Sequence, residues 1–477
     1  MNEELARLES LSRELEIEGK DLKVLSSAVQ EYCLQFIEEL PNELTFKNAG
    51  YENSIEDEFL APVHEGTQIE EILNYCEQRV DSGGINPASG GHLGYIPGGG
   101  LVSAALGDLI AATTNRYASV FFASPGACRL EDSLVQWAGK LMGYKKGFGG
   151  FLSSGGSMAN MSAIHTAREH HQINSQNIKK AVIYLSQQSH HSILKAIKIC
   201  GLSECEIRLI RLRDNFTMCL EHLKECIEQD RSKGLLPFLM VANAGSTDLG
   251  AVDDLSAIST IAKANNIWLH VDAAYGGFFK LTETGSEKLK GIEQADSIIL
   301  DPHKGLFLPF GTGICLVKEQ SALLKAHQYR ANYMQDVFDS DSIVSSADLS
   351  PELSKHFRGL RMWLPLKLHG LNKFKAALNE KLALAQYLEK ELLQLGYHIF
   401  CTSNLSVVAF QLKPGKENNE LNLAVMDYIK NDGRLFISST SLNEQVVLRA
   451  AILSFRTHQK EIDLLLSLLK SFKQTIA

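Results

Sequence analysis

Nine cysteines are scattered along the chain without a single CxxC pair, so the spacing contains neither a thiolate metal site nor a disulfide framework. Reduced, mostly structural thiols in a cytosol fit them better, and no metal is expected. An apolar run long enough to span a bilayer is also lacking. The first residues, MNEELARLES, are acidic and helical, whereas a secretory signal needs a basic start and an apolar core. The expectation is a cytoplasmic protein that does not engage a membrane. There is no basic surplus either: 47 Lys and Arg stand against 56 Asp and Glu, for a formal charge of -9 with both signs interspersed. That balance offers no electrostatic footprint for nucleic acid or an anionic surface. Internal repeats and low-complexity linkers are absent.

What is present has the balance of a globular protein, 45% hydrophobic and 22% charged. A chain of 477 residues exceeds one ordinary core, which predicts a large domain with smaller parts around it. Residues 1–80 read as a helical segment. Its first two helices carry apolar faces, with Leu5, Leu8, Leu11 and Leu15 on one and Leu22, Leu25, Val29, Cys33 and Phe36 on the next. These stripes are too short for a stable coiled coil, so they should dock on the body of the protein or on a sister subunit. Residues 81–365 read as a large α/β domain and 366–477 as a small α+β domain.

The α/β reading rests on short apolar runs alternating with helical stretches from about residue 147. The runs are Ala181 to Leu185, Arg208 to Leu212, Phe238 to Asn243, Ile267 to Val271 and Ser297 to Leu300. Such alternation predicts parallel strands joined by helical crossovers, with helices on both faces. Active sites in these sheets lie at the carboxyl ends of strands, and the polar and glycine-rich residues here follow the runs. Further strands are expected at Leu405 to Leu412, Leu435 to Ser439 and Val446 to Leu453.

Four segments carry the chemistry. In Ile267-Trp-Leu-His-Val-Asp-Ala-Ala-Tyr-Gly-Gly277 a strand ends by presenting Asp272, which calls for a cationic partner. The pyridinium nitrogen of pyridoxal 5′-phosphate (PLP) would be one: a charge pair near 4 Å is worth about 4 kcal/mol at an effective dielectric near 20. A protonated ring is the electron sink that carbanion chemistry requires. Ser297-Ile-Ile-Leu-Asp-Pro-His-Lys-Gly305 places Lys304 beside a histidine at the end of another run. A partly desolvated lysine is the nucleophile that forms imines with such an aldehyde. The chain between Asp272 and Lys304 suffices for one helical crossover, so both can face one pocket. Phe151-Leu-Ser-Ser-Gly-Gly-Ser-Met-Ala-Asn160 is a glycine turn opening a helix, a shape suited to phosphate. Ser186-Gln-Gln-Ser-His190-His191-Ser192 offers a histidine ring to stack on a flat cofactor, with either histidine eligible. Taken singly, each has a plainer reading: a strand-capping aspartate, a surface lysine, an ordinary turn, a polar loop.

Together and in this order the four segments resemble the group II PLP-dependent decarboxylases, the family of aromatic amino-acid, glutamate, histidine and diaminobutyrate decarboxylases. The likeness runs from about residue 60 to the end, and the DxAxGG and DPHK elements are its most specific parts. The resemblance implies the type I fold of PLP enzymes, aspartate aminotransferase-like, with a mostly parallel sheet covered on both faces and a C-terminal α+β domain. It implies that Lys304 holds the cofactor as a Schiff base, Asp272 pairs with the ring nitrogen and His190 stacks on the ring. Gly156, Ser157 and His303 become phosphate contacts, while Thr247 and Ala274 line the cofactor. Arg449, in Val447-Leu-Arg-Ala450, matches the arginine that meets a substrate carboxylate, and His92 is placed at the substrate with it. Tyr333, in Tyr329-Arg-Ala-Asn-Tyr-Met-Gln-Asp336, matches a loop tyrosine that reaches the neighbouring subunit's site and returns a proton to the substrate carbon. A homodimer with its site at the subunit interface is therefore expected.

The departures concern substrate. Aromatic amino-acid decarboxylases share a wall of aromatic side chains where this chain has Ser89-Gly-Gly-His-Leu-Gly-Tyr-Ile-Pro97, and glycines cannot supply that wall. Met158 stands where an acidic residue is frequent, and Gly305 where an aromatic often follows the lysine. The expected reaction is decarboxylation of an L-amino acid to its amine and carbon dioxide. Its rivals are a carbon–carbon lyase, a transaminase or an oxidative decarboxylase on the same scaffold, or a catalytically silent PLP-binding protein.

Overall fold

A computed structural model describes residues 2–48, 58–329 and 344–476. It opens with helices α1 (Asn2–Arg13) and α2 (Gly19–Glu39), followed by a two-residue antiparallel pairing of β1 (Phe46–Lys47) with β2 (Gly84–Ile85). Within one chain α2 buries none of its residues, and Leu5, Leu8, Leu11, Leu15, Leu22 and Val29 are exposed. Helix α2 touches helix α3 (Ile69–Tyr75) and its Tyr32 hydroxyl is hydrogen-bonded to Asp81, but the apolar faces of α1 and α2 stay largely open within one chain. Helix α3 and helix α4 (Val102–Thr114) lead into the large domain.

That domain is built on seven strands: β3 (Gly149–Ser153), β4 (Ala181–Ser186), β5 (Glu206–Ile210), β6 (Leu236–Asn243), β7 (Trp268–Asp272), β8 (Ser297–Leu300) and β9 (Gly313–Val317). Their spatial order is β3-β9-β8-β7-β6-β4-β5. Strands β4 to β8 pair in parallel, while β9 runs antiparallel between β3 and β8. The five anticipated runs are strands, the second of them shifted to Glu206–Ile210. The buried strands read as continuous apolar runs because both faces are covered, and successive residues divide between two cores. Val182 and Tyr184 pack on one side with Leu134, Val135 and Ala138 of α5 (Pro125–Met142). Ile183 and Leu185 pack on the other with Ala159, Ala163 and Ile164 of α6 (Gly156–His170) and Ile193 and Ile197 of α7 (His191–Ile199). Helix α5 starts on Pro125, where a missing N–H costs nothing, and stops at Gly143, which has a left-handed φ of 92°.

A helix over Gly359–His369 and a long one over Leu371–Gln394 pass to the small domain. There β10 (His398–Cys401), β11 (Val407–Gln411), β12 (Ser438–Leu442) and β13 (Gln445–Ala451) form an antiparallel sheet of order β10-β11-β13-β12. Its own core joins Phe410 and Leu448 to Leu388, Leu465 and Leu469 of the flanking helices. The strand expected at Leu435 to Ser439 begins later, at Ser438. Leu435 and Ile437 are buried in the connection, and Phe436 instead bridges to His92.

Candidate active site

The carboxyl ends of β4, β6, β7 and β8 open on one cavity of about 260 Å³. Strand β7 delivers Asp272 to it with 7% of its surface exposed. One carboxylate oxygen accepts the Ala274 N–H at 3.1 Å and the other accepts the Asn160 amide at 3.1 Å. Beyond β8, a four-residue turn of helix (Pro302–Gly305) presents Lys304, whose Nζ lies 2.9 Å from Asp301 Oδ2. The second oxygen of Asp301 is buried and has no hydrogen-bond partner among the described residues.

His303 donates from Nδ1 to the Thr312 carbonyl at 2.7 Å, leaving Nε2 3.6 Å from Asp301 Oδ2. Burial lowers its pKa, against the opposing pull of Asp301. Opposite this turn, Gly155 adopts φ 150° and Gly156 opens α6. A Cβ at Gly156 would come within 2.8 Å of Asp301 Oδ2, so only glycine lets this backbone approach the lysine-bearing turn. The first N–H groups of α6 have no intrahelical acceptor and carry the positive end of the helix dipole.

His190 is the N-cap of α7: its Nδ1 accepts the Ser192 N–H at 3.3 Å and lies 2.8 Å from Ser192 Oγ. Its pKa is lowered, chiefly by burial, with Asp272 pulling the other way. His191 is exposed and does not line the cavity, so between the two histidines it is His190 that faces the site. Ser157, Thr247 and Ala274 also line the cavity. Tyr333 lies outside the described residues.

Two expected substrate contacts are placed otherwise. Arg449 is buried and does not line the cavity. Its guanidinium donates to the carbonyls of Asp248 (2.8 Å), Tyr95 (3.2 Å) and Thr247 and to Ser438 Oγ (2.7 Å), so most of its donors hold loops together and do not await a carboxylate. His92 is 4% exposed, and among the described residues neither ring nitrogen makes a hydrogen bond of good geometry, the Pro87 backbone offering only a weak pull. Burial pushes its pKa down to about 4, so it sits neutral among Tyr95 and Phe436.

Residues not anticipated as part of the site are Asp301, Asn160, Ser192 and His270. Asn160 falls four positions after Gly156, one helical turn, and His270 two positions before Asp272, on the same face of the strand. Those two periodicities are the signal that would have found them.

The residues fit PLP. A buried carboxylate suits a cationic heterocycle, a helix start opened by Gly155 and Gly156 suits a phosphate, and Lys304 supplies an amine in the same cavity. Among the described residues no cluster able to hold a metal ion occurs.

Comparison with known proteins agrees. Residues 55–413 match the model of the pyridoxal-dependent decarboxylase conserved domain. The chain is 30% identical over 419 residues to an aromatic-L-amino-acid decarboxylase of Bacillus atrophaeus, covering 86% of this chain and 87% of that protein. It is 28% identical over 418 residues to a phenylacetaldehyde synthase of Arabidopsis thaliana, covering 84% and 85%. A solved structure of Oryza sativa TDC with PLP and tryptamine superposes with a TM-score of 0.91 over 96% of this chain and 99% of that one, at 20% identity, a likeness of fold.

Proposed function

Because the chain belongs to the pyridoxal-dependent decarboxylase family and is a PLP-dependent carboxy-lyase of type I fold, we propose that its substrate is an aromatic L-amino acid, converted to the amine and carbon dioxide. The observation that carries the substrate class is an aromatic cluster tied to the cavity's Thr247 loop through Arg449. Phe436 stacks on Phe46 at 5.8 Å and meets Tyr95 at 5.9 Å between ring centroids. Tyr95 is 59% exposed, and its carbonyl shares one nitrogen of Arg449 with that of cavity-lining Thr247. A Cβ at Gly94 would run into the Phe436 ring, so the glycines that supply no aromatic wall themselves make room for one from the small domain. The relatives named for aromatic substrates support the same class.

When bound, PLP supplies the electron sink for the pair left behind as carbon dioxide departs. Asp272 would meet the ring nitrogen's proton with a buried carboxylate, and Lys304 would supply the amine, with Asp301 accepting a hydrogen bond from its ammonium form. His190 would give a flat face, the start of α6 and His303 would hold the phosphate, and Tyr333 would return the proton to the substrate carbon. Holoprotein mixed with tryptophan, tyrosine and phenylalanine should change its absorbance with at least one of them and release the matching amine, identified by mass. Turnover of only an acidic or basic amino acid would sink the substrate class. Aldehyde, ammonia and peroxide as products would favour the oxidative reading, which the phenylacetaldehyde synthase relatives support.

The proposal extends to a homodimer in a reducing cytoplasm, a compartment that suits nine free cysteines. One face of α4 buries Ser103, Ala104, Gly107 and Ala111, while the other leaves Val102, Leu106, Leu109 and Ile110 exposed at helical spacing. Exposed Phe310 stands 5.8 Å from the His303 ring, which puts apolar surface next to the cavity. Leu109→Asp should turn a dimer into a monomer by sedimentation, and a wild-type protein already monomeric at micromolar concentration would refute the pairing. Among the described residues no helix is long and apolar enough to cross a membrane.

A further inference from the structure

Most side-chain hydrogen bonds in proteins go to backbone or water, so a run of six linking side chains alone, from four separate elements, marks a built feature. Trp268 Nε1 donates to Ser297 Oγ at 2.8 Å, and that hydroxyl lies 2.8 Å from His270 Nδ1. His270 Nε2 is 2.8 Å from Asn160 Oδ1. The Asn160 amide nitrogen donates twice, to Asp272 Oδ2 and to Ser192 Oγ, both at 3.1 Å. Ser192 Oγ closes the run 2.8 Å from His190 Nδ1. Asn160, Ser192, His270 and Ser297 are all buried, and His270 and Ser297 show no exposed surface.

The direction of every bond is fixed by the two ends. An indole nitrogen only donates and a carboxylate only accepts. Turning the Asn160 amide over would set its oxygen against the Asp272 carboxylate, so Asn160 donates to Asp272 and its Oδ1 accepts from His270 Nε2–H. His270 is neutral, because burial takes its pKa down to about 4 against the pull of Asp272. Nδ1 of this Nε2–H tautomer is then the acceptor, and Ser297, which accepts from Trp268, gives it its hydroxyl proton. Ser192 accepts from Asn160 and gives its hydroxyl proton to His190 Nδ1, which also accepts the Ser192 N–H. In neutral His190 the proton consequently sits on Nε2.

We propose that Asn160 and His270 are positioning residues of the cofactor site: a one-way relay from Trp268 fixes the Asp272 carboxylate on one branch and the orientation and tautomer of His190 on the other. Asn160 is a single amide bonded to both flanks of the cavity, Asp272 on one and Ser192 on the other. The inference rests on the PLP-site reading above but not on which amino acid is consumed, so PLP affinity, not turnover, is its measure.

In Asn160→Asp the side chain keeps its shape and loses its donors. With both carboxylates ionised the pair repels. At lower pH one shared proton restores a donor toward Asp272 while the His270 bond is kept. PLP affinity relative to wild type at the same pH should therefore be poorest at alkaline pH, down by about tenfold or more, and should recover as pH falls. The neighbouring titratable groups, His190, His270, Lys304, Asp301 and His303, are common to both proteins, which the ratio removes. A second pair keeps the test open if this variant fails to fold. His270→Phe should lose PLP affinity, whereas His270→Gln, whose amide can still donate to Asn160 Oδ1, should regain most of it at similar thermal stability. A folded Asn160→Asp protein with wild-type affinity at every pH would overturn the relay, as would equal behaviour of the two His270 variants. Wild-type protein that binds PLP tightly yet turns over no aromatic amino acid would defeat the substrate proposal and leave this one standing.

Discussion

Lys304→Ala protein, reduced with borohydride in the presence of PLP, should carry no cofactor on the peptide that wild type labels, and its turnover should fall by at least ~10³-fold, as expected when an imine-forming nucleophile is removed. The position supports this expectation. Lys304 is carried on a turn held between two sheet strands, its amine is 2.9 Å from Asp301, and it shares its cavity with Asp272 and His190. The substitution also strips the cation from a carboxylate that already has one unpaired oxygen, so the apoprotein should melt at a lower temperature than wild type. Adding Asp301→Asn should return part of that stability without returning activity. A label found on another lysine, or wild-type turnover without Lys304, would remove the ground for the whole functional reading.

Asp272→Asn should leave the fold intact and cost about a thousandfold in turnover. The estimate follows from about 4 kcal/mol for a charge pair near 4 Å at an effective dielectric near 20, at about 1.4 kcal/mol for each factor of ten. The fold survives because the asparagine oxygen can still accept from Asn160 or from Ala274 N, the two bonds that tie this side chain down. The loss comes from charge: a neutral amide no longer favours the protonated ring. Steady-state kinetics with circular dichroism on the same sample separates the two effects. Full turnover with PLP bound would show that the carboxylate has another task.

The parallel strands were legible because a strand covered on both faces has no polar alternation to blur its ends, as in Ala181 to Leu185. Strand β9 was not foreseen. Its run, Gly313–Val317, pairs antiparallel one strand in from the edge of an otherwise parallel sheet, and no local signal in five residues announces where a strand will be inserted. The anticipated cavity residues were legible because each lies at or just after the end of a strand, whereas Asn160 and Ser192, inside the helices that follow, and Asp301 were not. Arg449 and His92 were placed at the substrate by likeness alone, which carries no information on whether a guanidinium is already occupied by its own chain. The aromatic cluster was hidden for a related reason: Phe436 is remote in sequence from Gly94 and from Phe46, and meets both only once the small domain has folded.

The antiparallel insertion of β9 has a consequence for the length of the chain around the lysine. From Leu300 to Gly313 the backbone is stitched at both ends, β8 and β9 being paired to each other from Leu300↔Ile314 onward. One added residue in that stretch would offset β9 by a single step. Ile314 and Leu316 would then exchange sides with Cys315 and Val317, each pair facing the wrong core. The segment that carries the reactive amine is thus gauged by two packed layers at once, and a change in its length is felt first as misfolding and only afterwards as chemistry.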